Sequence, residues 1–126
     1  MGTARAETTI AKPADDVWAV VGSFGDVAWM PGVQTCRLEG KDRVLGVRGM
    51  EITEREYHHD DAARTLTYGY VGGPVQLEKH EATITVTPLG ESTLVTWDVD
   101  TDDAVTKMMQ GTYQGALDAL KAQLED

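Results

Sequence analysis

One carboxylate, one imidazole and two phenols fall on the apolar faces of strand-like segments, and they are the side chains best suited to holding or moving a proton. Side chains alternate between the two faces of a strand. In Met50 to His59, Met50 and Ile52 mark the apolar face, and the same parity places Glu54 on it. In Val75 to Thr87, Ala82, Ile84 and Val86 mark an inner face that His80 shares, and Leu66, Tyr68 and Tyr70 share a third. A carboxylate desolvated among apolar groups has a raised pKa and can donate or accept a proton, with His80 as partner and the tyrosines steering a carbonyl or phenol. A structural reading stands beside this one: Glu54 meets an arginine such as Arg43 or Arg48 at the rim, and His80 and the tyrosines bond each other or the backbone. A β-bulge would turn Glu54 outward.

Other clusters carry less chemistry. His58-His59-Asp60-Asp61 is rich in ligand types, but adjacent strand residues point to opposite faces and cannot share one ion, so a solvated strand end is expected. Asp98 to Asp102 begins like a calcium loop, yet Asp103 replaces the required glycine and Met109 the bidentate glutamate. Cys36 has no CxxC partner, and no phosphate-cradling glycine loop is present. No metal or cofactor is expected.

The elements that must position these groups follow from punctuation and periodicity. Thr3 to Ala11 reads as a strand, Pro13 opens a helix with Val17, Trp18, Val20 and Val21 on its apolar side, and Gly22 stops it. A short helical turn is expected over Asp26 to Trp29. Strands then follow over Val33 to Glu39, Arg43 to Arg48, Met50 to His59, Arg64 to Val71, Val75 to Thr87 and Thr93 to Asp100. Their connections are too short for crossover helices, so neighbours should be antiparallel. Asp103 to Asp126 is a long amphipathic helix, with Asp102 as cap. Its stripe runs Val105, Met108, Met109, Thr112, Tyr113, Ala116, Leu117, Leu120 and Leu124, while Lys107, Gln110, Gln114, Asp118, Lys121 and Glu125 belong in water. One helix cannot cover both faces of such a sheet. The sheet must therefore curl around it, an arrangement that tends to leave a ligand-sized gap.

The chain of 126 residues reads as one domain, with 21 acidic against 11 basic residues and a net charge of −10. That charge repels phosphate backbones and anionic headgroups, and no basic patch opposes it, so nucleic acid is excluded as a partner. A single cysteine, the lack of a signal-like start and the lack of a spanning apolar run lead to the expectation of a cytoplasmic protein without stable membrane anchoring.

Across nearly its whole length the chain resembles the START-like, or SRPBCC, superfamily with the birch-allergen-type helix-grip fold, and within it the bacterial polyketide cyclase/dehydrase-type proteins. The resemblance rests on Ala11-Lys12-Pro13-Ala14-Asp15-Asp16-Val17-Trp18, Trp29-Met30-Pro31-Gly32-Val33, Ile52-Thr53-Glu54-Arg55, Leu66-Thr67-Tyr68, Val95-Thr96-Trp97 and the closing helix. It implies an α+β fold, with a curved antiparallel sheet of six or seven strands in the order β-α-α-β-meander-α around the C-terminal helix. It also implies a cavity between sheet and helix for a lipid, quinone, polyketide or other small hydrophobic molecule. Trp29 and Met30 would lie at the cavity mouth, with Ile52, Glu54, Tyr68, Tyr70, His80, Ala82, Met109, Thr112, Tyr113 and Ala116 as wall. Gly111 and Gly115 either bring the helix close to the sheet or leave room for ligand. Three functions are compatible: a carrier or sensor of a hydrophobic molecule, a cyclase, dehydratase or hydrolase-like enzyme using Glu54 and His80, and a protein-interaction module. A homodimer or another protein partner is compatible with each.

Overall fold

The computed structural model describes residues 2–126. Seven strands form one curved antiparallel sheet: β1 (Gly2–Ile10), β2 (Val33–Glu39), β3 (Asp42–Val47), β4 (Met50–Asp60), β5 (Thr65–Gly72), β6 (His80–Leu89) and β7 (Ser92–Thr101). Helix α1 (Ala14–Val21) follows β1, and α2 (Asp103–Glu125) closes the chain. The strand order is β1-β7-β6-β5-β4-β3-β2, so the meander from β2 to β7 is sequential and β1 joins its far side. This is the helix-grip fold, and short connections between strands produce it.

The core lies between the concave face and the helices. Ile10, Val17, Leu66, Ile84, Val95, Leu117 and Leu120 are all fully buried. α2 packs on β1 and β7 with Leu117 and Leu120 as anchors, and Trp97 stacks on Tyr113 with ring centroids 4.0 Å apart.

Five local expectations are corrected. Asp26 to Trp29 forms hydrogen-bonded turns and no helix: Asp26 N–H bonds Ser23 O, Met30 N–H bonds Val27 O, and the Asp26 carboxylate accepts from Ala28 N–H. The aspartate side chain satisfies its own turn and competes with helix formation. Val75 to Lys79 is not strand, and β6 begins at His80. The Tyr70 hydroxyl bridges the N–H and C=O of Val75, and the Asp102 carboxylate accepts from Glu78 N–H and Lys79 N–H. Asp102 therefore holds the N-cap position of α2 and its C=O accepts the Val105 N–H, but its side chain makes no cap bond, because it serves this loop.

The last two corrections concern the polar face of α2 and His59. Gln110, Gln114, Lys121 and Glu125 are not simply solvated: Gln114 bonds both N–H and C=O of Glu7, Gln110 and Lys121 donate to Arg5 O and Thr9 O, and Glu125 accepts from Ala11 N–H. These side chains occupy backbone groups that an edge strand would otherwise present to another chain. His59 likewise is more than a solvated strand end: it bonds Asp61 and Glu56 and packs 5.5 Å from the Trp18 ring, tying β4 to α1.

Candidate functional site

A cavity of about 610 Å³ opens between the concave sheet and one side of α2. Its helix wall is Val105, Met108, Met109, Gly111, Thr112, Tyr113, Gly115 and Ala116, and its sheet wall includes Leu45, Ile52, Glu54, Tyr68, Tyr70, His80 and Trp97. Met30 and Pro31 from the α1–β2 connection, Val33 at the start of β2, Val47 and Arg48 at the β3–β4 turn, and Val75 and Leu77 from the β5–β6 loop complete the lining. α2 leans on β1 and β7, so the sheet's other half curves away and the gap stays open.

The backbone explains how each polar group arrives there. β5 and β6 pair only from Thr65↔Thr85 to Tyr68↔Ala82 and then splay. The His80 ring enters the split, and Nδ1 accepts the Tyr70 N–H at 3.1 Å in place of a ladder carbonyl. Gly69 permits this approach, because a Cβ there would stand 2.6 Å from the His80 carbonyl. His80 Nε2 then meets the Tyr113 hydroxyl of α2 at 2.7 Å. Trp97 Nε1 donates to the Tyr68 hydroxyl at 3.1 Å. Tyr70, His80 and Tyr113 are thus linked by hydrogen bonds across β5, β6 and α2, Trp97 and Tyr68 across β7 and β5, and the stacking of Trp97 on Tyr113 brings the two groups together.

Because Nδ1 accepts a backbone N–H, the ring is neutral with its proton on Nε2. Burial lowers the His80 pKa in the same direction. Burial raises the Tyr113 phenol, and raises Tyr68 well above its ordinary value, so both stay protonated donors.

Glu54 reaches the lining by a different route. It lies opposite Arg43 in the β3–β4 register, and register shifts flank it on its other side, toward β5. Arg43 is only 1% exposed. Its Nη2 and Nε hold Glu54 Oε1 at 2.7 and 2.9 Å, Nη1 donates to Phe24 O at 3.1 Å, and the guanidinium lies over the Phe24 and Tyr68 rings. Burial pushes the Glu54 carboxyl up, and Arg43 opposes that shift.

Of the twelve residues singled out from sequence, Met30, Ile52, Glu54, Tyr68, Tyr70, His80, Met109, Thr112, Tyr113 and Ala116 lie on the lining. Trp29 and Ala82 lie outside it. Trp29 packs in the core 5.7 Å from Trp97, and Ala82 is fully buried on β6. Glu54 and His80 share the cavity, but no hydrogen bond joins them, since each is engaged elsewhere. Sequence reasoning offered Arg43 or Arg48 as a partner for Glu54 at the rim; the structure selects Arg43 and buries it. Sequence reasoning did not foresee Trp97 as a donor to the Tyr68 hydroxyl. The burial of Arg43 carries no signal of its own on a strand where Val44 and Leu45 are buried as well. Among the described residues, no three His, Cys, Asp or Glu side chains converge as a metal site, and no helix is long and apolar enough to cross a membrane.

The fold is shared with solved structures of START-like proteins. The protein XoxI from Bacillus cereus is 25% identical, with a TM-score of 0.93 over 100% of this chain and 97% of that one. A START superfamily protein from Mycobacterium smegmatis is 20% identical, with a TM-score of 0.83 over 98% and 97%. The di-domain aromatase/cyclase BexL of the BE-7585A biosynthetic pathway is 18% identical, with a TM-score of 0.83 over 97% of this chain and 46% of its own. No curated protein matches by sequence. The model of the family described as polyketide cyclase/dehydrase and lipid transport matches residues 1–125, and the chain belongs to that family.

Proposed function

We propose that this protein binds a small, mostly apolar molecule between the sheet and α2, with the molecule's polar end toward Tyr68, His80 and Tyr113. The carrying observation is the cavity itself, of about 610 Å³, with an apolar lining into which a few convergent polar groups project. Ligand pockets for small molecules fall in the range of roughly 300–1,000 Å³ and share that composition. Met30, Met108 and Met109 add adaptable thioether surface, which suits irregular apolar shapes. Extraction of the gently purified protein with organic solvent, followed by mass spectrometry, should yield a stoichiometric small hydrophobic molecule. Uniformly empty protein that also takes up no added naphthalene-sized compound would refute the reading.

A general acid–base enzyme is the second reading, favoured by the desolvated Glu54 on the lining. It has less support, because both His80 ring nitrogens are occupied and Glu54 is held by Arg43. If it holds, Glu54→Gln abolishes turnover of a bound substrate while leaving its affinity within a few fold.

A further inference from the structure

The polar network at the sheet wall of the cavity contains more protons than it can use. His80 Nδ1 is an acceptor of the Tyr70 N–H, so the single ring proton sits on Nε2 and goes to the Tyr113 oxygen. The Tyr68 oxygen accepts the Trp97 Nε1–H. Tyr68 and Tyr113 each bring one phenolic proton, and among the described residues no hydrogen bond accepts either. Both phenols line the cavity.

We propose that these phenolic O–H groups are the recognition groups of the pocket, selecting ligands that bury a neutral carbonyl oxygen, as a ketone or quinone does. The inference rests on the binding reading above and gives it a ligand class. A carbonyl oxygen supplies an acceptor and brings no additional proton that would need a partner. A carboxylate fits worse. The nearby buried cation, Arg43, is already committed to Glu54, the Phe24 carbonyl and two ring faces, so an anionic head at the phenols would enter beside a carboxylate with no buried cation to spare, the lining's other cation, Arg48, being exposed.

The test uses three probes of similar size, 2-ethylnaphthalene, 2-acetonaphthone and 2-naphthoate, with the whole protein and its Tyr68→Phe/Tyr113→Phe variant. Calorimetry should show the double variant weakening the ketone roughly threefold to tenfold more than it weakens the hydrocarbon, the size of one net hydrogen bond. Naphthoate should bind more weakly than the ketone. Infrared difference spectra of wild-type protein should show the ketone C=O stretch below its frequency in cyclohexane, and this readout does not depend on the variant folding. An unshifted C=O stretch, equal losses for ketone and hydrocarbon, or naphthoate as the tightest ligand would overturn the proposal and leave the binding reading standing. Failure of hydrocarbon and ketone alike to bind would remove the binding reading and this one with it.

Discussion

Arg43 and Glu54 show how much a single side chain depends on its partner when water is absent. The guanidinium is almost wholly enclosed and its charge is balanced by one carboxylate. Glu54→Ala leaves that charge buried and alone, and should lower the unfolding free energy by about 3–5 kcal/mol in chemical denaturation. Replacing both residues, as Arg43→Met/Glu54→Leu, should recover most of the loss. His80 makes a second residue-scale prediction. Its folded pKa is depressed below the ordinary 6.5 by burial, so the unfolded chain binds its proton first as acid is added. The stability this gives is complete above the ordinary value and is lost as pH falls toward the lowered one. His59 runs the other way: its folded pKa is raised, with Asp61 and Glu56 as the raising partners, so its contribution is lost as pH rises through the folded value. Denaturation of His80→Phe in a His59→Ala background should therefore show a flatter stability profile below pH 6.5 than His59→Ala alone.

At the scale of elements, α2 divides its labour along its length and around its circumference. Leu117 and Leu120 anchor it, one polar flank closes the β1 edge, and the Met108 to Ala116 stretch walls the cavity. Gly111 and Gly115 belong to that wall, and a Cβ at either would meet nothing within 4 Å. They leave space at the cavity and do not bring helix and sheet into contact. Glycine in mid-helix costs about 1 kcal/mol relative to alanine, so Gly111→Ala/Gly115→Ala should raise the melting temperature while weakening the binding of naphthalene-sized compounds. On the other flank, Gln114→Ala loses both bonds to Glu7. It should speed amide exchange at Glu7 and cost about 1 kcal/mol.

The same elements show what a sequence can disclose. Period-two alternation revealed the strands and the faces of Glu54, Tyr68 and His80, and period 3.6 revealed α2. Pairing across strands leaves no such trace. Nothing local chooses Arg43 over Arg48 as the partner of Glu54, because the β3–β4 register joins Arg43 to Glu54 across a hairpin. Nor does any local signal say that Val75 to Lys79 leaves the sheet, since the Tyr70 hydroxyl and Asp102 carboxylate that hold this loop come from β5 and from the residue just before α2. Gln114 and Lys121 read as solvent-facing by polarity alone, and only the docking of α2 on β1 brings them to backbone groups.

For the whole molecule, the open gap follows from one helix meeting a sheet too wide for it to cover. α2 lies over β1 and β7, and β3 to β5 curve past it around the cavity. Family membership and fold agree with that architecture, and the proposed use of the gap is to hold a small apolar molecule by its polar end. The most direct measurement is a backbone amide chemical-shift titration with 2-acetonaphthone. Saturable shifts should concentrate at Ile52, Tyr68, His80, Met109 and Gly115, with little change at Arg5, Glu81 or Asp98 on the outer face. Shifts scattered over that outer face, or none at saturating probe, would contradict a ligand site between the sheet and α2.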